Sequence, residues 1–225
     1  MNTYLVTALS IVSLAVSTQT MAASYSLPAS SQSVIGEVQY TTSYGGDNVV
    51  TVAQRYNLGL NAIENANPHL NMGMGFSSGA RLQIPTQHLL PNQARQGIVI
   101  NLPEMRMYYY LGSQVLTYPI GIGKIGKTIP VTSTYVTRKA ENPTWTPPDD
   151  IREFNLQQGI VLPQVMPPGP DNPLGPYAIY MQLPAYGSYL IHSTIFPESV
   201  GRRASFGCIR MYESDIEQFF PSVER

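Results

Sequence analysis

The chain has 225 residues, 43% of them apolar and only 12% charged, with 19 Pro, 18 Gly and 15 Tyr. That length suffices for one large domain or two modest ones with buried cores, and the composition excludes a coiled coil and wholesale disorder. Thirteen basic against 14 acidic residues give a formal charge of −1 with no basic stripe, so nucleic-acid binding has no electrostatic footprint.

Leu5 to Val16 is mostly apolar, Ser17 to Thr20 is polar, and Ala22-Ala23 offers small residues for cleavage. This is the pattern of an export signal over residues 1–23, although its n-region lacks Lys and Arg. The apolar run is short for crossing a bilayer. The mature chain is therefore expected to carry no transmembrane span, and the lack of a cysteine near the cleavage region excludes an N-terminal lipid anchor. Exported thiols tend to be oxidised, yet Cys208 is the only cysteine and cannot form an internal disulfide. It is an inert buried thiol, an intermolecular link or a reactive group.

Ser24 to Ser33 is polar and reads as a short tether. Val38 to Thr42 reads as a strand ending at Gly45-Gly46. Asp47 or Asn48 is positioned to cap a helix carrying Val49, Val50, Val52, Ala53 and Tyr56. Asn57-Leu58-Gly59 breaks it, Leu60 to Asn65 makes a second helix, and Asn67-Pro68 closes that one. Ser77-Ser78-Gly79 then turns into an alternating strand at Ala80 to Pro85. The order strand, helix, helix, strand, with D-N-V-V-T-V-A-Q-R-Y-N-L, I-E-N-A-N-P and S-G-A-R-L-Q-I-P, resembles a LysM module over residues 34–91. The resemblance implies binding of N-acetylglucosamine-containing glycan; a helical spacer that binds nothing is the other reading.

From Gly97 the pattern becomes strand-rich. Ile98 to Leu102, Met105 to Leu111 and Gln114 to Ile122 read as successive strands, with a turn at Pro103-Glu104. Tyr108-Tyr109-Tyr110 reads as a strand with ordinary core and surface positions rather than a binding ladder. Val131 to Arg138 is extended, and Glu141 to Gly175 is a long Pro-rich loop of the kind that covers functional sites. Trp145 within it lines a groove or anchors the loop. Tyr177 to Leu183 and Ser188 to His192 are further strands. The last element is a helix over Ser214 to Phe220, with Ser214 and Glu217 spaced for a capping box.

His192 ends a strand, and the loop after it returns to Cys208. That arrangement suits a thiol nucleophile with an imidazole base. Gly207 permits a tight approach that points the 207 and 208 N–H groups at a developing oxyanion. No His/Cys/Asp cluster has metal spacing. The pairing alone does not displace the buried-thiol reading.

The string I-H-S followed by S-F-G-C-I-R is more specific: it resembles the catalytic motif of the L,D-transpeptidases with a YkuD-like domain. G-I-V-I-N-L-P-E-M-R-M-Y-Y-Y, P-I-G-I-G-K-I-G-K-T-I-P, N-P-T-W-T-P-P and P-P-G-P-D-N-P-L-G-P-Y-A-I-Y are similar to the ErfK/YbiS branch. The resemblance implies a mainly β, YkuD-like β-sandwich with a late helix over residues 97–225, behind the small βααβ module. It casts Cys208 as nucleophile, His192 as base, Ser193 as the residue whose backbone carbonyl orients the imidazole, and Gly207 with Cys208 as the oxyanion hole. Ser205 is a loop-bracing hydroxyl, and Arg210 either binds a substrate carboxylate or braces the loop. Phe206 stands where many relatives have a second His. Arg202 and Arg203 are read as solvated, with steering of a carboxylate as the other reading.

The implied reaction is attack on the third residue of a peptidoglycan tetrapeptide stem, with loss of D-Ala and transfer of the thioester-bound stem to an amine. The acceptor is the Lys of an outer-membrane lipoprotein or a second stem, giving a 3–3 cross-link. The partner is peptidoglycan, no cofactor is needed, and a periplasmic monomer is expected. Two rivals remain: an L,D-carboxypeptidase using the same thiol, and a non-catalytic peptidoglycan binder. The second draws on the C-terminus, where Pro221 to Arg225 leaves the catalytic unit without an expected last strand and an edge unpaired.

Overall fold

The computed structural model describes residues 23–71, 73, 75–127, 129–183 and 187–224, so the export-signal reading lies almost wholly outside it. The N-terminal part runs β1 (Ala23–Ser26), β2 (Val34–Ile35), β3 (Val38–Thr42), α1 (Val49–Arg55), α2 (Leu60–Ala66), β4 (Arg81–Pro85) and β5 (His88–Leu89). Then come β6 (Gly97–Asn101), β7 (Arg106–Leu111), β8 (Gln114–Pro119), β9 (Ile122–Gly123), β10 (Val136–Glu141) and α3 (Asp149–Leu156). The last elements are β11 (Tyr177–Leu183), β12 (Gly187–Ser193), β13 (Arg203–Ser205), β14 (Ile209–Met211) and α4 (Glu213–Ser222).

The βααβ unit forms as its caps and apolar spacing dictate. Asn48 Oδ1 accepts the Val50 and Thr51 N–H groups while Thr51 Oγ1 accepts the Asn48 N–H, a reciprocal capping box. Val52, Ala53, Leu58, Ile63, Leu82 and Ile84 are fully buried and make a small core of their own. Asn67, also buried, closes α2 by accepting the Gln83 N–H and donating to the Ile63 and Gln83 carbonyls. β3 and β4 pair antiparallel, and β2 pairs with β5, a strap that the apolar periodicity of such short segments does not announce.

Two four-stranded sheets, in the orders β1-β8-β7-β6 and β10-β11-β12-β14, carry the rest. Met107, Tyr109, Tyr118, Ile120 and Ile122 meet Ile179, Met181, Ile191, Ile209 and Met211 in the main core, with Ile216, Phe219 and Phe220 of α4 against them. The molecule is mainly β with a late helix, as expected.

Four expectations need correction. The 24–33 stretch is not simply a tether: β1 pairs with β8, Ala23 opposite Thr117, and Tyr25 sends its hydroxyl to the Thr86 carbonyl at 3.3 Å. The tyrosine run has no surface positions. Tyr109 faces the main core, while Tyr108 and Tyr110 face a second cluster with Ile35, Leu90 and Val115, because the N-terminal segments cover the other face of this sheet. The 141–175 loop contains helix α3, started by Asp149 and Asp150 after Pro147-Pro148, where acids complement the helix dipole. Finally, α4 begins at Glu213 with Tyr212 before it and no side-chain cap, so the Ser214–Glu217 capping box does not form.

Candidate active site

β12 and β14 are adjacent parallel strands in the register Ile191↔Ile209 and His192↔Arg210. Ile191 and Ile209 point into the core, so period-2 alternation along β12 and β14 sends Leu190, His192 and Arg210 to the opposite face. The register sets His192 beside Arg210, and the Cys208 thiol, one residue before β14, takes the Leu190 N–H and shares with the imidazole the influence of the Arg210 charge. The other flank of the turn is held by the G-I-G-K segment. β9 pairs parallel with β13, Arg203 opposite Ile122 and Ser205 opposite Gly123. Gly121 and Arg210 exchange backbone hydrogen bonds at 2.8 and 2.9 Å, and the Lys124 N–H donates to the Ser205 carbonyl at 2.9 Å.

Within the turn, Ser205 Oγ donates to the Cys208 carbonyl at 2.6 Å and accepts the Gly207 N–H at 3.2 Å. Gly207 has a φ of 129°, a conformation open essentially to glycine alone. Its N–H, expected to face an oxyanion, is thus committed to Ser205. The Leu190 and Cys208 N–H groups favour the thiolate, but burial outweighs them and pushes the Cys208 thiol up.

His192 is buried, and its Nδ1 hydrogen-bonds the Ser193 carbonyl at 2.5 Å. A carbonyl only accepts, so Nδ1 carries the proton and Nε2 keeps its lone pair. Burial, aided by the Arg210 charge, lowers the imidazole pKa to about 4, against the pull of the Ser193 and Leu174 carbonyls. The resting pair is therefore neutral imidazole and thiol. The sequence resemblance put the weight of Ser193 on its backbone more than on its side chain. Its side chain is fully buried as well: Oγ donates to the Leu174 carbonyl at 2.9 Å and accepts the Tyr177 N–H at 3.0 Å. Arg210 is half-buried, and its Nε has no hydrogen-bond partner among the described residues.

The 141–175 segment closes back on itself. Asn142 N–H bonds the Pro176 carbonyl at its neck, Trp145 and Met166 exchange backbone hydrogen bonds at 2.9 and 2.7 Å, and Asn172 ties Pro143 to Pro167. Trp145 anchors this loop through its main chain. Its helix α3 rests on the 205–208 turn: Phe154 meets Phe206 edge-on at 5.2 Å. Lys124 Nζ lies 3.7 Å from the Phe206 ring centre and 4.6 Å from that of Phe154, and Lys127 pairs with Asp150 at 2.6 Å. Sequence reasoning missed Lys124, Phe154 and Asp150. The Pro-Pro-Asp-Asp helix start was the available signal. Arg202, read as solvated, instead pairs with Glu64 and donates to Asn61 Oδ1 at 2.9 Å. No group of three or more potential metal ligands occurs among the described residues, and none of their helices is long and apolar enough to cross a membrane.

Residues 95–225 match the model of the YkuD family, the L,D-transpeptidase catalytic domain. The probable L,D-transpeptidase YcfS of Escherichia coli K12 is 42% identical over 88% of this chain and 62% of its own length. The probable L,D-transpeptidase ErfK/SrfK of the same organism is 39% identical over 90% of this chain and 66% of its own. The chain thus spans a little under two thirds of the length of these relatives. Among solved structures, the catalytic domain of an E. faecium L,D-transpeptidase acylated by ertapenem is 25% identical, covering 60% of this chain and 94% of that one with a TM-score of 0.42. With the His192–Ser193 and Ser205–Cys208 geometry lying inside the matched region, the chain belongs to the YkuD family of L,D-transpeptidases.

Proposed function

We propose that this protein is an exported L,D-transpeptidase that acylates Cys208 with a peptidoglycan stem peptide and passes the acyl group to an amine. The observation that carries the reading is the Nδ1–H bond from His192 to the Ser193 carbonyl, on a strand paired with β14, which directly follows Cys208. It leaves Nε2 as the one basic ring nitrogen. Nε2 takes the thiol proton as sulfur attacks the carbonyl of the third stem residue. The tetrahedral oxyanion faces the Cys208 N–H. It collapses to a thioester as the protonated imidazole gives its proton to the departing D-Ala amine. Neutral His192 then deprotonates the incoming acceptor amine, which displaces the thiol and regenerates Cys208.

Arg210, with an unpartnered Nε, binds a substrate carboxylate. The acceptor is a Lys of an outer-membrane lipoprotein or the side-chain amine of a second stem. The βααβ unit is proposed as a LysM-like glycan-binding element that holds the enzyme on its polymer. Removal of the export signal after Ala23 would leave Ser24 to Ser26 paired with β8.

Product analysis tests this reading. Purified protein incubated with a tetrapeptide stem and a lysine-bearing acceptor should release D-Ala and yield an amide-linked product. Release of D-Ala with only a tripeptide product would instead identify a carboxypeptidase, and no release would refute the proposal.

A further inference from the structure

Asn57 lies in the turn between α1 and α2, and Asp215 in the first turn of α4; both are buried, and they are 158 positions apart in sequence. Asn57 Nδ2 donates to Asp215 Oδ1 at 2.9 Å. The atom remaining on each side chain, Asn57 Oδ1 and Asp215 Oδ2, is buried with no hydrogen-bond partner among the described residues. Both orphans are acceptors when the acid is ionised, and two such atoms left bare are costly. A single proton on Asp215 Oδ2 turns one of them into a donor for the other. It closes the two-bond ring that a carboxylic acid forms with a primary amide.

We infer that Asp215 is a neutral carboxylic acid paired through both oxygens with the Asn57 amide, and that this pair is a proton-dependent lock of the N-terminal unit on the catalytic unit.

The surroundings agree. No Lys, Arg or His nitrogen forms an ion pair with Asp215 among the described residues. Arg106 is a cation whose charge acts on Asp215, but its guanidinium bonds Thr117 Oγ1 and the Asn57 carbonyl, each at 3.0 Å. Tyr118 and Tyr212, the other titratable groups facing the carboxyl, are pushed further from ionising by it. Glu213 and Glu217 on the same helix are exposed. Burial, opposed by Arg106 and the Asn57 bond, raises the Asp215 pKa to about 7.

The pair sits at the centre of the joint between the two units. Tyr212 donates to the Leu58 carbonyl at 3.1 Å, and the Leu60 N–H donates to the Val200 carbonyl at 3.1 Å. A side chain on Gly201 would meet the Gly59 Cα at 2.5 Å, so the two backbones touch. Residues 200–203 lead directly into β13 and the catalytic turn. Ionising Asp215 breaks the second bond of the ring and leaves a buried carboxylate at this joint.

The experiment uses the full chain and needs no activity, so its failure is separable from failure of the transpeptidase reading. Asp215→Asn reproduces the neutral pair, since its amide donates to Asn57 Oδ1 and its carbonyl accepts from Nδ2. Because the folded-state pKa is raised, the native state of the parent holds the proton that the unfolded chain has already lost. The parent therefore loses stability relative to Asp215→Asn between about pH 4 and pH 7. The buried histidines His88 and His192 push the other way, so the readout is the difference between variant and parent. The Tm of Asp215→Asn should exceed that of the parent by a margin that grows by several degrees from pH 5 to pH 7 and levels off above pH 8. An Asp215→Asn protein less stable than the parent across that range, or a margin that does not change with pH, would overturn the inference. The Asp215 Cγ resonance of the unaltered protein gives a second reading. A midpoint near pH 7 supports the lock, and one near pH 4 overturns it.

Discussion

Ser205 Oγ accepts the Gly207 N–H and donates to the Cys208 carbonyl, so one buried hydroxyl closes the turn that carries the thiol. Ser205→Ala removes both bonds and leaves a buried N–H and carbonyl without these partners, at a cost of about 1–3 kcal/mol. The variant should melt several degrees lower and acylate Cys208 at least about tenfold more slowly, because the nucleophile is displaced rather than removed. Thermal melts and acylation rates check this; an unchanged rate would show that the turn holds without the brace.

The protonation states of His192 and Cys208 predict an unusual pH profile. The base must be neutral, and its pKa lies near 4, so the rate of acylation should rise through about pH 4 and be flat at neutral pH. Alkylation of Cys208 by iodoacetamide needs the thiolate, which burial disfavours. It should be slow at pH 7 and accelerate only in the alkaline range. An acid limb centred between pH 6 and 7 would show that burial does not lower the imidazole, and rapid alkylation at neutral pH would point to a standing thiolate–imidazolium pair.

Ser193 acts through two groups. Ser193→Ala keeps the carbonyl that orients the imidazole but frees the Leu174 to Tyr177 segment and strips the Tyr177 N–H of its partner. Its rate should fall, though less than the roughly 10²–10⁴-fold loss expected for His192→Ala. Single-turnover acylation rates of the two variants give the comparison.

Phe154 tests the cover over the turn. An aromatic pair contributes about 0.5–1.5 kcal/mol and an exposed cation–π contact about 0.5–1 kcal/mol. Phe154→Ala should therefore favour the released loop by roughly tenfold. Phe154 is 43% exposed, so the melting temperature should barely move while KM for the stem rises and proteolysis at residues 149–160 quickens. Unaltered proteolysis would show that α3 is held by its own loop alone.

The turn through Gly207 and Cys208 was readable because its residues are local and their spacing from His192 survives as a strand and a returning loop. The βααβ unit was readable for the same reason, its caps and apolar positions lying within single helices. What escaped were contacts between distant segments. Tyr108 and Tyr110 are buried because Ile35 of β2 and Leu90 after β5 cover them, with Tyr25 of β1 packed alongside, which no periodicity in β7 reveals. Asp215 looks like an ordinary acid in a helix's first turn until Asn57 is brought against it. Helix α3 was hidden by the prolines around it, although Asp149 and Asp150 mark its start.

The most direct test of the account is intact-mass analysis of the protein after incubation with a tetrapeptide stem, for the parent and for Cys208→Ala. The parent should gain the mass of the stem less D-Ala, mapped by peptide analysis to Cys208, and Cys208→Ala should gain nothing. An adduct on Cys208→Ala, or a folded parent that never acquires one, would contradict the central claim.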